Sequence, residues 1–284
     1  PDPFAAVSPL YFVNALLSRD DVKAAGKHVL TYSFADSFPA SVSGAVLFTD
    51  EQKAAVRAAL GKYAAVLNLR FVERDDDAPT DLRFMLDDLT SVELGAFAGY
   101  AAPASGEIHL NSVWYGLSPS AGGETFRSRT SLNLGEPGFM TLLHEIGHAL
   151  GLKHPFESPV LPTSENSTLN TLMSYTRVDD AATDLAPFDV AALQYLYGVA
   201  ADRKVGDDTY RFDDRFIDDG GGLDTFDASS EGRDVTIDLT PGSWIHAGPQ
   251  ADSILAEGQA FIGFGSSIED AVGAVTKLIN DEPL

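Results

Sequence analysis

Apolar residues over the first two hundred positions recur with two different periods, and the switches between them lay out the chain. Residues 28–34, HVLTYSF, are rich in β-branched and aromatic side chains and read as a strand. In 49–67, TDEQKAAVRAALGKYAAVL, apolar positions fall at helical spacing behind Thr49, and Gln52 three residues on completes a capping box. LRFVE (69–73) and DLRFML (81–86) return to strand composition. GEIHLNSVWYG (106–116) alternates more weakly between Gly-rich loops, the pattern of an edge strand near a cleft, with His109 an ordinary strand residue. A helix is predicted over 138–150, where Phe139, Met140, Leu142, Leu143, Ile146, Ala149 and Leu150 supply an apolar face. After an irregular stretch (155–169) rich in Pro, Ser and Glu comes a further helix, FDVAALQYLYG. It puts Val190, Leu193, Leu196 and Tyr197 on one face and stops at Gly198. Together these elements predict a twisted sheet with a long helix against it.

Past residue 200 the pattern changes to Gly, Asp and short strand-like runs, DTYRF, LDTFDAS, DVTIDL and QAFIGFG, which places a domain boundary just after Gly198. Residues 219–227 match the nonapeptide G-G-x-G-x-D-x-U-x of calcium-binding β-rolls, with Asp219 in place of the first Gly. Its glycines allow a tight turn and its aspartates offer hard anionic oxygens, although a Gly-rich hairpin turn has the same composition. One imperfect copy does not make a solenoid, which needs about three repeats to bury a core.

The strongest chemistry lies in HEIGHALGLKH, residues 144–154. On a helix His144 and His148 project from one face and reach one ion, while Glu145 is placed to hold an attacking water. Gly151 lets the chain leave the helix and return His154 as a third ligand. Three imidazoles leave a fourth position open, the arrangement of a catalytic zinc. Downstream, Met173 in TLMSY suits the methionine turn that underlies such sites; methionine is also a common core filler, but the upstream motif selects the turn.

Composition narrows the partners. The chain has 284 residues, 44% of them hydrophobic, enough for one large domain or two modest ones. A formal net charge of −23 argues against nucleic acid and anionic membrane, and no stretch is long enough to span a bilayer. Carboxylates such as Asp75, Asp76 and Asp77 are expected to do no more than solvate a loop. With no cysteine there is neither disulfide nor thiolate chemistry, so a secreted form would draw stability from elsewhere, bound calcium being one source. The first residues lack the basic start and long apolar run of a secretory leader, and Pro1 reads as the start of a processed or trimmed chain. His28 and His246 are expected to serve packing alone.

HEIGHALGLKHP, with Pro155 directly after the third histidine, followed by LMSY and APFDVAALQYLYG, resembles the serralysin branch of the metzincin zinc endopeptidases. The likeness runs from LTYSF near Leu30 into the segment after the last helix. It implies an α+β fold: a metzincin-like catalytic domain over 1–198, with a twisted, mostly parallel sheet and long helices, then a small Gly/Asp-rich, calcium-binding β domain over 199–284 that is truncated or poor in repeats. Implied too are a Zn2+ cofactor on His144, His148 and His154, a zinc-bound water activated by Glu145, and an edge strand that pairs with extended substrate, here assigned to 106–116. The tyrosine two residues after the turn methionine binds zinc in resting serralysins and swings away to stabilise the intermediate; that position is Tyr175, whose bland alternative is packing on the turn with its hydroxyl in solvent.

In that family a GDxTY-like start, a GGxDT turn and a TxENAIG segment build calcium sites, and here they read GDDTY, GGLDT and SIEDAVG. Carried over by position, one Ca2+ takes backbone oxygens of Lys204 and Gly206 with Asp208, Asp219, Gly221 and Asp224; a second takes Gly222, Asp224, Ser267 and Glu269. Lys204 stands where the family usually has Arg, which matters little for a carbonyl ligand. Where serralysins continue into a repeat array, this chain reads AVGAVTKLINDEPL, which puts export by the family's distal signal in doubt. The resemblance implies a secreted, monomeric enzyme acting on protein or peptide substrates. Two readings compete with it: a matrixin-like metzincin, and a catalytically weak or inactive metal-binding module that acts by binding a partner or surface. Pro155 and the calcium-type tail weigh against the first, and retention of Glu145 against the second.

Overall fold

A computed structural model describes residues 8–18, 22–40, 42–90, 98–115, 118–119, 125–126, 131–178, 182–201, 203–273 and 275–279. The seven residues at the start, Gly116 at the end of the segment assigned as the edge strand, and 280–284 at the end lie outside them. The chain divides into two compact units, Pro1–Ala64 with Leu69–Tyr197, and Ala65–Asn68 with Gly198–Leu284. Residues 65–68 go with the second unit because Leu67 bridges Val199 antiparallel and the Asn68 amide donates to the Gly198 carbonyl (2.9 Å).

In the first unit α1 (Tyr11–Leu16) precedes β1 (Val29–Phe34), α2 (Asp50–Ala64), β2 (Arg70–Glu73), β3 (Leu82–Asp87), β4 (Gly99–Ala102) and β5 (Glu107–Asn111). A short α3 (Ser112–Tyr115), a two-stranded ribbon of β6 (Ser118–Pro119) and β7 (Thr125–Phe126), α4 (Pro137–Ala149) and α5 (Pro187–Tyr197) complete it. The capping box forms as expected: the Thr49 amide donates to Gln52 Oε1 (2.9 Å) and the Gln52 amide to Thr49 Oγ1 (3.2 Å). The sheet order is β2-β1-β3-β5-β4, parallel throughout except that β4 runs antiparallel to β5.

Four sequence expectations need correcting. The edge strand is β4, while the segment assigned to the edge forms β5, covered on both sides by β3 and β4. Its weak alternation reflects burial, since Ile108, His109, Leu110 and Asn111 are all buried. His109 is more than an ordinary strand residue, because burial obliges its ring to find partners: Nδ1 lies 2.9 Å from Asp87 Oδ1 and the ring stacks on Tyr100 at 4.3 Å between centroids. Asp76 does not solvate a loop; Arg83 grips it through Nε (2.8 Å) and Nη2 (2.6 Å), Ser33 donates to it (2.9 Å), and the guanidinium holds its carboxyl down at about 2. Finally, Val190 is only half-buried; Leu193, Leu196 and Tyr197 face inward as expected, joined by Phe188, Asp189 and Ala192.

The helix α1 carries no periodicity to read because it is buried nearly all round. Phe12 stacks on Phe188 of α5 (4.8 Å), and both rings are withdrawn from water, each worth roughly 1.5–3 kcal/mol against exposure. Among the described residues no helix is long and apolar enough to cross a membrane.

The second unit contains β8 (Thr209–Tyr210), β9 (Phe216–Ile217), β10 (Thr225–Asp227), β11 (Val235–Asp238), β12 (Trp244–Ala247), β13 (Gln259–Ile262), β14 (Asp270–Val272) and β15 (Val275–Ile279). They form a parallel sheet β14-β10-β8 and a mixed sheet β15-β11-β12-β13-β9. Tyr210, Ile217, Phe226, Val235, Ile237, Ile245 and Ile262 close a core of their own. β9, β12, β14 and β15 lay outside the sequence reading, being short runs without a strong alternation.

Candidate metal centre

Helix α4 brings the first two histidines together. Its inner face is the predicted one, with Phe139, Leu142, Leu143 and Ile146 fully buried, so His144 and His148 emerge from a helix that the core locks in rotation. Gly151 takes φ +106 just past the helix, and His154 returns to the same point. The Nε2 atoms converge, with His148 at 3.1 Å from His144 and 3.2 Å from His154.

Each ring is fixed from behind. His144 Nδ1 lies 2.8 Å from the Leu172 carbonyl, His148 Nδ1 2.9 Å from the Leu152 carbonyl, and His154 Nδ1 2.7 Å from Glu157 Oε1. These partners only accept, so each Nδ1 carries the hydrogen and each Nε2 turns a lone pair inward. Three inward lone pairs repel unless a cation sits between them, which is the test that zinc passes here. Burial holds the two helical rings in the neutral, ligating form, bringing His144 down to about 4 and His148 to about 3.

Beneath the cluster the Thr171–Ser174 turn is clamped by Asp189, whose carboxylate accepts from Thr171 Oγ1 (2.6 Å), the Leu172 amide (2.7 Å) and the Ala186 amide (3.3 Å). Burial nevertheless raises Asp189 to about 7. Asp189 thereby positions the very peptide whose carbonyl anchors His144. Met173 is buried directly below the helix, and a Cβ on Gly147 would stand 3.0 Å from its sulfur, so the glycine between the two helical histidines admits the turn.

Glu145 is buried, its Oε2 has no hydrogen-bond partner, and burial lifts it to about 8. The edge strand β4 passes over it: a Cβ on Gly99 would lie 2.9 Å from Glu145 Cγ and 2.9 Å from the His109 carbonyl. Tyr175 is exposed, with its hydroxyl 2.9 Å from His154 Nε2, so it reaches the point where the imidazoles meet. Two cavities of about 250 Å³ each flank this point and share Gly99, His144, Glu145 and Tyr175 as walls.

Sequence reasoning missed Glu157, Asp189, Gly99 and Gly147. An acid three residues past the third histidine was a signal available for Glu157, and FD at a helix start was one for Asp189; the two glycines become legible only once their neighbours are placed.

In the second unit Asp208, Asp219 and Asp224 offer carboxylate oxygens that all lie within 4.8 Å of one another. Asp219 and Asp224 are buried, Asp224 Oδ2 is without a partner, and burial with the neighbouring Asp219 charge raises Asp224. Two buried carboxylates side by side call for a hard cation, and calcium fits. Gly221 and Gly222 have φ +138 and +156, and Gly222 lies against the Gly206 carbonyl. Lys204 also has a positive φ, and its ammonium sits 5.0 Å above the Tyr210 ring. Glu269 Oε2 accepts from the Asp224 amide (2.8 Å) and Oε1 from Ser267 Oγ (2.5 Å), which brings the second predicted set beside the first. Tyr210 donates to Asp219.

A buried helix carrying two imidazoles, a third histidine after a glycine, and a methionine turn under a mostly parallel sheet define a metzincin-type metal centre. Consistent with that geometry, the sequence model of the matrixin family of M10 peptidases matches residues 24–198. The chain belongs to that family and is of the serralysin type within it. It is 30% identical to a serralysin of Photorhabdus sp. (strain Az29), covering 86% of this chain and 56% of the relative. It is 29% identical to serralysin B of Dickeya chrysanthemi (86% and 56%) and 29% identical to metallopeptidase AprA of Pseudomonas marginalis (89% and 60%). The chain thus spans little more than half the length of these relatives. Zinc, with calcium, is the metal complement of such proteins.

Proposed function

We propose that this chain is a zinc-dependent endopeptidase that hydrolyses protein substrates, with residues 1–198 as its catalytic domain and 199–284 as a calcium-stabilised β domain. The observation that carries this reading is the convergence of three Nε2 lone pairs beside the unpartnered Glu145 carboxylate. Bound at His144, His148 and His154, zinc supplies Lewis acidity, polarising a peptide carbonyl and making a water acidic enough to react near neutral pH.

The remaining work falls to the chain's own groups. An extended substrate adds to the edge of β4 that pairs with no strand among the described residues, main chain to main chain, which lays its scissile peptide across Glu145. Glu145 Oε2 accepts the proton of the attacking water and later returns it to the leaving amine. Its freedom from other hydrogen bonds leaves that oxygen available, and its burial keeps bulk water from competing. The Tyr175 hydroxyl, released from His154, donates to the oxygen on which negative charge develops. Secretion is part of the same proposal, by likeness to the serralysins.

The test is casein hydrolysis by the purified chain, abolished by a zinc chelator and restored by added zinc. Hydrolysis that survives complete removal of zinc, or a zinc-loaded chain that cuts nothing, refutes the reading.

A further inference from the structure

The two cavities beside the metal centre differ in charge, and the difference bears on which substrates fit. One runs along α4 past Met140 and Thr141 to Arg177; the other runs past Tyr100 to Lys153 and Glu157. Lys153 keeps its charge, but its ammonium donors are taken up by the carbonyls of Ala15 (2.5 Å), Glu157 (2.7 Å) and Pro159 (3.1 Å), with His154 at 3.5 Å. That cavity therefore sets one cation, its donors engaged, beside the Glu157 carboxylate, whose Oε1 lies 2.7 Å from His154 Nδ1.

The Arg177 side is the reverse. Arg177 is exposed, has no ion-pair or hydrogen-bond partner among the described residues, and is close enough to His144 for its charge to oppose protonation of that ring. Its backbone is held in place from both neighbours. The Thr176 carbonyl accepts from the Thr168 amide (2.9 Å), the Thr176 amide donates to Ser174 Oγ (3.0 Å), and the Val178 amide donates to Thr168 Oγ1 (3.0 Å). The backbone that carries the guanidinium is thus fixed at one end of the groove, in a protein whose formal charge is −23. With no partner among the described residues, the exposed guanidinium carried there offers a planar, two-pronged donor to a carboxylate.

We infer that Arg177 is a specificity-determining residue that selects substrates with an acidic side chain in the Met140–Arg177 cavity, so that acid is favoured on one side of the scissile bond only. On the other side Lys153 and Glu157 offset one another, so that cavity adds no preference for acid. This inference rests on the endopeptidase reading.

The experiment uses the zinc-loaded chain and a set of otherwise neutral peptides in which Glu, Ala or Lys is placed at each position on either side of the cut. At low salt, Glu over Ala is expected to raise kcat/KM about fivefold at one position on one side, falling as salt screens the pair. In Arg177→Gln the ratio drops to about one, and in Arg177→Glu it inverts in favour of Lys, with zinc content and the circular dichroism spectrum recorded for each variant. A wild-type chain that cuts the peptides with no one-sided charge preference overturns the inference, as does a preference that persists in Arg177→Gln. A zinc-loaded wild-type chain that cuts none of them overturns the endopeptidase reading itself.

Discussion

The two units each gather three metal-binding side chains within 4.8 Å, yet they do so by opposite physics. In the first, the candidate ligands are imidazoles, each anchored through Nδ1, and burial favours the neutral, metal-ready form of His144 and His148. In the second, the ligands are carboxylates, two of them buried, and burial disfavours their metal-ready form. A site of the first kind exists before its ion arrives and leaves the ion a free position for chemistry. A site of the second kind is costly without its ion, so binding contributes to the stability of the fold around it. On the proposed reading, one metal is held for reactivity and the other for shape.

The contrast can be broken at several points. Glu145→Gln is expected to lower kcat by about a thousandfold while zinc content and melting temperature stay put; retained turnover removes Glu145 from the proton transfer. Tyr175→Phe should cost about a hundredfold in kcat with zinc affinity little changed, read from peptide kinetics and metal analysis together. In Glu157→Gln the ring of His154 loses its anionic acceptor, and chelator competition should show zinc bound about 10- to 100-fold more weakly. Equal affinity would mean that the carboxylate does not tune the metal. Stripping calcium should lower the melting temperature of the second unit by roughly 5 °C, with the zinc histidines still loaded.

The smallest expected effect is the most diagnostic, because the two clusters should respond to pH with opposite sign once metal-free. His144 and His148 are depressed from 6.5 to about 4 and 3, so the unfolded chain binds more protons in that interval. Their contribution to stability is present above pH 6.5 and is lost as pH falls toward 4. Asp224 is raised above its ordinary 3.8, so the folded state binds the extra proton, and its contribution is present in acid and lost as pH rises through the carboxylate range. NMR titration of the metal-free chain should show the His144 and His148 rings charging only well below 6.5 and the Asp224 carboxyl keeping its proton above 3.8; the ring and carboxyl signals are the readout because the stability of residues 137–154 also carries the opposite contributions of the raised Glu145 and Asp189. Shifts in the same direction would discard the comparison.

Which parts of this were legible beforehand follows from how local their causes are. The capping box of Thr49 and Gln52, the apolar face of α4 and the glycine exit at Gly151 depend on residues within one or two turns of each other, and each is visible in the string of letters. The assignment of 106–116 to the edge failed because position in a sheet is set by pairing partners distant in sequence; β5 lies between β3 and β4 only because a connection brings the chain back antiparallel. Asp76 failed for the same reason, since Arg83 and Ser33 reach it only once three segments are folded together.

By itself the sequence determined which imidazoles converge, because a four-residue spacing on a helix and a glycine after it bring three of them to one point wherever that helix lies. It also carried the acidic tail motif, whose spacing in Asp219 and Asp224 is local. Only the tertiary structure decided what stands around those ligands: Asp189 clamping the Leu172 peptide behind His144, Glu157 behind His154, Gly99 leaving room above Glu145, and Arg177 tethered in one cavity. The physical reason is that ligand geometry follows from backbone periodicity, whereas orientation, charge and access are set by contacts between segments that periodicity does not bring together.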